Sequence, residues 1–218
     1  MISANSVKDL REKTGAGILD CKKALDECQG DFEKAVDWLR TKGMAIAAKK
    51  AARTATEGQV ASYIHMGGKI GVLLELNCET DLVARGDDFG NIVREVAMQI
   101  AAANPRWVRR EEVPPDALER EKAIFKQQAI DSGKPEHIAE KMVGGKLEKF
   151  YGENCLLEQP YIRDDSKTVQ QLITEFVARC GENVQVRRFV RWQLGEGLEK
   201  KSGDFAAEVA AMAAGAAN

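Results

Sequence analysis

Residues 77–89 read NCETDLVARGDDF, which sets Glu79, Asp81, Asp87 and Asp88 close together after an apolar run. Acidic side chains can do acid–base work when a cleft holds a pair of them, or when a nucleophile or a metal cluster stands beside them. No such companion is legible. His65 and His137 lie far apart, each without a second ligand at metal spacing. Cys21, Cys28, Cys78, Cys155 and Cys180 form no Cys-x-x-Cys and leave one thiol over in any pairing, so reduced, mostly structural thiols are expected. The plainer reading makes Asp81 and Asp87 caps of short helical turns and leaves Glu79 and Asp88 in water. It explains the charges but not Leu82 and Val83, apolar residues set among them. No catalytic residue, metal ligand or cofactor is expected. The other chemical candidate, TGAG at 14–17, has no strand before it and no Gly-Lys-Ser/Thr after it, so it reads as a helix–helix turn rather than a phosphate loop.

The rest of the chain must position the 77–89 stretch. With 218 residues and a hydrophobic fraction of 44%, there is material for one or two modest domains. A formal charge of −2 supplies no global field to recruit nucleic acid or an acidic membrane surface. No run approaches the length of a membrane span and MISANSVKDL lacks the apolar centre of a secretory signal, so a cytoplasmic protein is expected.

Helical periodicity opens the chain. Ser6 followed by Asp9 reads as an N-cap with an acidic first turn, and Val7 and Leu10 begin an apolar stripe. Ile18, Cys21 and Leu25 share the face of a second helix that ends at Gln29-Gly30, and Asp31 caps a third with Phe32, Ala35, Val36 and Leu39. The Ala- and Lys-rich stretch 41–56 reads as a basic helical linker; Lys42, Lys49, Lys50 and Arg53 make a solvated face more readily than an RNA contact. A hairpin follows. Val60, Ser62, Ile64 and Met66 alternate with Ala61, Tyr63 and His65, Gly67-Gly68 turns the chain, and Ile70, Val72, Leu74 and Leu76 return on the same face. A helix over 86–103, with Phe89, Val93, Val96, Ala97 and Ile100, can cover that hairpin.

Charged helices then flank DSGKP as an antiparallel hairpin, with Leu118, Phe125 and Ala129 on one arm and Ile138, Met142, Val143, Leu147 and Phe150 on the other. One more helix carries Val169, Leu172, Ile173, Phe176 and Val177. Val184, Val186, Val190, Trp192 and Leu194 then alternate as a third strand, Arg188 being the polar exception. Phe205, Val209 and Met212 make a thin stripe on a helix-prone tail suited to docking.

Four stretches, VKDLREKTGAGILDCKKAL at 7–25, LELNCETDLVAR at 74–85, IAEKMVGGKLEKFYGE at 138–153 and VRWQLGEGLEKKSGDFAAEVAAM at 190–212, closely resemble the elongation factor Ts family. The resemblance implies an α+β protein. Residues 1–45 would form a three-helix, ubiquitin-associated-like module and 46–56 a basic linker. A core over 57–200 would hold an antiparallel three-stranded sheet, with a helical hairpin inserted at about 114–150, and 201–218 would be a C-terminal docking helix. It implies a guanine-nucleotide exchange factor for elongation factor Tu, a binding protein rather than an enzyme. In the family the loop matching Thr80, Asp81, Leu82 and Val83 intrudes near the partner's Mg²⁺ and phosphate side. Leu82 stands where the family pattern usually has Phe, keeping an apolar wedge with less area. Leu10, Thr14, Gly15, Gly17 and Ile18 would serve docking by the N-terminal module, and Phe205, Val209 and Met212 docking by the tail. Only one copy of the core is legible where longer members have two, so a homodimer is expected. Other readings are a peptide- or ubiquitin-like-binding adaptor and an RNA-binding protein, the latter resting only on the basic linker and VRRFVRW.

Overall fold

Apolar residues at helical spacing close the first quarter of the chain. The computed structural model describes residues 2–131, 133 and 136–198. Helices α1 (Ala4–Thr14), α2 (Ile18–Glu27) and α3 (Phe32–Lys50) bury Leu10, Cys21, Ala24, Leu25 and Ala35 in a small cluster, with Phe32, Val36 and Leu39 around it. The N-cap of α1 is Ser3, not Ser6: the Ser3 hydroxyl accepts from the Ser6 amide at 3.0 Å, so Ser6 already lies in the first turn. Asp31 caps α3 as expected, accepting from the Lys34 amide. Ile18 departs from its expected face, for it is the first residue of α2 and stays exposed.

Helix α3 runs through much of the expected linker, because alanine-rich sequence propagates a helix once a capped turn exists. Two of the linker cations are engaged within the chain: Lys42 with Asp20, and Arg53 with Glu79. Buried Gly43 lets α3 approach α8 (Val169–Cys180) closely; a methyl group added there would sit 3.4 Å from the Ala178 Cβ.

Strands β1 (Glu57–Ile64), β2 (Ile70–Cys78) and β5 (Gln185–Gln193) form an antiparallel sheet in the order β1-β2-β5. Val72, Leu74 and Leu76 of β2 face α5 (Asp87–Ala103) and α8, whose Phe89, Val96, Ile100, Ile173 and Phe176 complete the main core. The faces of the flanking strands differ from expectation. Tyr63 pairs with Val72 and Ala61 with Leu74, so Ala61 and Tyr63 meet the core while Val60 and Ile64 point outward. In β5 a bulge opposite Glu75 and Leu76 adds a residue and shifts the alternation. Val184 and Val186 are buried, but beyond the bulge Phe189 packs inward, and Val190 and Trp192 emerge with Arg188 on the outer face.

Helices α6 (Pro115–Asp131) and α7 (Glu136–Asn154) pack chiefly on each other, as the hairpin pattern predicts. Their base is fixed by Val113, Phe150 and Cys155, with Trp107, Leu118 and Phe125 around them. Arg110 adds ion pairs to Glu148 and Glu158. A small ladder, β3 (Pro160–Tyr161) with β4 (Asp164–Thr168), carries no apolar alternation in the sequence, for β3 is two residues long and β4, DDSKT, is wholly polar. Thr168 and Gln171 then form a reciprocal capping box at the start of α8.

Gly58 decides how closely β1 meets β2. Its φ is +139°, and a Cβ there would fall 2.1 Å from the Leu76 carbonyl oxygen. Gly58→Ala is therefore expected to destabilise the protein by about 2 kcal/mol or more in urea unfolding, combining backbone strain with overpacking.

Candidate functional site

At the end of β2 the chain turns away from the sheet into α4 (Asp81–Ala84), a helix of 4 residues. So short a helix cannot sustain itself, since nucleation consumes more order than one turn returns. Its surroundings fix it instead. The Thr80 hydroxyl, not Asp81, is the N-cap, accepting from the Val83 amide at 3.4 Å. Gly86 similarly takes the cap position of α5, where Asp87 and Asp88 occupy the first turn and face the positive end of the helix dipole. At the far end of α4 the Gln59 side-chain amide donates to the Ala84 carbonyl at 2.6 Å. Ala84 is buried, Val83 packs partly against the core, and Leu82 projects with 80% of its surface exposed. Asp81 is also exposed and pairs with Arg85 at 2.9 Å, a contact of little energetic weight in water.

A second layer of contacts comes from the turn between α8 and β5. Glu182 Oε2 accepts from the amides of Glu79 at 3.1 Å and Thr80 at 3.0 Å, and its Oε1 accepts from the Thr80 hydroxyl at 2.6 Å. In return Glu79 accepts from the Asn183 amide at 2.7 Å, and the Asn183 side chain donates to the Arg53 carbonyl at 2.7 Å. The Asn183 amide, helped by Arg53, holds the Glu79 carboxyl below the ordinary glutamate value. Glu79, expected to be solvated, is thus a structural anion. Glu182, Asn183 and Gln59 were missed in the sequence because nothing local links them to residues 79–84.

The other expected site residues lie elsewhere. Leu10 is fully buried and supports the N-terminal helices from within. Thr14 is half-buried, its hydroxyl donating to the Leu10 carbonyl at 2.7 Å. Gly15 closes α1 with φ +67° and Gly17 occupies the cap position of α2. Ile18 and Leu19 are exposed beside that turn. A cleft of about 330 Å³ separates the turn from β4 and α8, with Lys13, Thr14, Asp20, Lys167 and Glu175 among its walls, and does not reach α4. Phe205, Val209 and Met212 lie outside the described residues.

The five cysteines are all unbridged. Among the described residues no cluster of His, Cys, Asp and Glu could hold a metal, and no helix is long and apolar enough to cross a membrane.

The family model described as Elongation factor TS matches residues 23–196. The chain belongs to the elongation factor Ts family. Relatives named Elongation factor Ts include that of Desulforamulus reducens, 64% identical over 97% of this chain and 97% of its own length. That of Geobacter sulfurreducens is 61% identical over 97% of this chain and 98% of its own length. Membership places the protein in translation elongation. The α4 loop lies inside the matched region, as do Glu182 and Asn183.

Beneath the loop, Cys78 is fully buried and its thiol faces the Thr80 carbonyl at 3.1 Å. Burial first, and then the charge of Glu182, push this thiol up to about 11 from 9.0. An unfolded chain ionises there near 9 and the folded one near 11, so rising pH between those values favours unfolding. Native protein at pH 8 is expected to leave Cys78 unmodified by iodoacetamide while urea-unfolded protein reacts, as read by peptide mass mapping.

Proposed function

We propose that the protein is the guanine-nucleotide exchange factor for elongation factor Tu and acts through the α4 loop. The observation that carries the reading is Leu82, an apolar side chain held 80% exposed on a short helix whose flanks are hydrogen-bonded into place. A GTPase retains GDP through backbone amides, a lysine and a bridging Mg²⁺, so release is slow until some of those contacts are broken. Leu82 inserts between partner helices, and Asp81 disturbs the polar network around the ion. No bond in the nucleotide is made or broken. The factor stabilises the nucleotide-free partner, and by linkage nucleotide weakens factor binding to the same degree.

Docking is shared, in this reading, between two surfaces. The N-terminal helices present Ile18 and Leu19 beside the Thr14–Gly17 turn, an apolar contact area for the partner's GTPase domain. The tail carrying Phe205, Val209 and Met212 supplies the second. The protein itself needs no cofactor and works in the cytoplasm.

A second copy of this chain is the other proposed partner. Val60, Ile64, Leu73, Val190 and Trp192 form an exposed apolar face on the sheet opposite the core. Glu75 at its centre is neutralised by Arg187 at 3.4 Å and Arg188 at 2.7 Å, so covering the face leaves no lone carboxylate. The described residues contain one such sheet, and a two-fold pairing covers both copies of it at once.

Two measurements check these readings. Stopped-flow release of a fluorescent GDP from elongation factor Tu is expected to slow by roughly tenfold or more with Leu82→Ala, and measurably with Asp81→Ala. The melting temperatures should stay near the parent, because truncating exposed groups costs a fold under about 0.5 kcal/mol. Destabilised variants whose exchange falls only with the folded fraction would make the loop structural. Light scattering at micromolar concentration should report a dimer that Trp192→Asp converts to a folded monomer; a parent that is monomeric throughout would contradict the pairing.

A further inference from the structure

We propose that Glu182 is the positioning residue of the exchange loop: its carboxylate sets the direction in which Leu82 is presented. The inference rests on the exchange reading above and adds to it a residue 102 positions from Thr80 in sequence.

The geometry distinguishes aiming from mere support. Val83 and Ala84 already anchor α4 to the core, and Gln59 secures its last carbonyl. Those contacts hold the helix on its core side and at its last turn, while on its N-terminal approach the Asn183 amide and Arg53 grip the Glu79 side chain. Glu182 grips the backbone of that approach, binding two consecutive amides, those of Glu79 and Thr80, through one oxygen and the Thr80 hydroxyl through the other. Because the hydroxyl proton is committed to Glu182, a lone pair on Thr80 Oγ1 is left directed at the Val83 amide as the cap. The carboxylate therefore fixes both the backbone entering α4 and the rotamer that starts it. Glu182 itself is held where the Gly181 cap, at φ +74°, turns α8 toward β5, and the next residue returns a hydrogen bond to Glu79.

The energetics favour a local role. The two bonds to Thr80 are exposed and the one from the Glu79 amide is only part-buried, so water can replace the carboxylate at most of its contacts when it is removed. What is lost is order, and a wedge that must be ordered on contact binds its partner less well. Glutamine can reproduce the arrangement: its carbonyl oxygen accepts from both amides, and its NH₂ donates to Thr80 Oγ1, which still accepts from Val83.

A double-mutant cycle on the full chain tests this, with fluorescent GDP release from elongation factor Tu as the readout and thermal melting as the control. Glu182→Ala is expected to slow release by roughly tenfold, the range of one or two charge-assisted hydrogen bonds, with little change in melting temperature. Glu182→Gln should restore most of the rate. In a Leu82→Ala background, Glu182→Ala should have almost no further effect, since both changes disable the same contact. Glu182→Ala with the parent rate, effects of the two substitutions that multiply, or losses that follow the folded fraction would each overturn the proposal. Slow exchange by Leu82→Ala beside normal exchange by Glu182→Ala would remove this proposal alone. A normal rate for Leu82→Ala would remove the exchange reading of the loop and this proposal with it.

Discussion

A three-stranded sheet has two faces, and among the described residues the helices cover one of them. Helix α5 lies across β1 and β2, α8 packs beside it, and Val72, Leu74 and Leu76 of the central strand are sealed beneath. The consequences run outward from that asymmetry. The covered face supplies most of the buried apolar area, whose removal from water is the dominant favourable term in folding. The uncovered face keeps Val60, Ile64 and Trp192 in solvent, where a second copy can reach them. The passage from β2 to α5 must climb from sheet to helix layer at the rim, and α4 with Leu82 occupies that climb.

A connection on a rim is ordinarily mobile, since it has few buried neighbours. Here hydrogen bonds supply the restraint that packing does not. Glu182 and Asn183 exchange contacts with Glu79 and Thr80, and Asn183 extends the same network to the chain leaving α3. Fold and proposed function meet at this point: the core aligns the ends of β2 and α8, the aligned ends bond each other, and that bonding leaves Leu82 outward. Keeping Leu82 exposed forgoes the stabilisation its burial would bring, a familiar pattern at binding sites.

Much of this architecture could be read from the residues because the signals are local. Apolar stripes at helical spacing located α2, α5 and α8, and Asp31 announced the start of α3. Alternation with Gly67-Gly68 between its runs announced the β1–β2 hairpin. The errors have equally physical sources. One inserted residue near Arg187 reversed the face of every later position in β5, and alternation alone cannot see a bulge. Ser3 and Ser6 are equally plausible caps by type, and only the donor to Ser3 distinguishes them. The tip residue Leu82 was legible as an anomaly among charges, and the family resemblance gave it a use. Its restraints were not legible, because Glu182 and Asn183 look like an ordinary turn until the fold brings them to Thr80 and Glu79.

In the proposed mechanism a preorganised apolar side chain at position 82 acts on the partner and contributes little to its own fold. A graded series at that position, Ala, Val, Leu, Met and Phe, measured for GDP release from elongation factor Tu at saturating factor and for melting temperature, tests it most directly. Release rates should rise with apolar size across the series while the melting temperature stays flat, as befits a side chain that touches little of its own chain. Rates insensitive to size, or rates that follow the melting temperature, would contradict it.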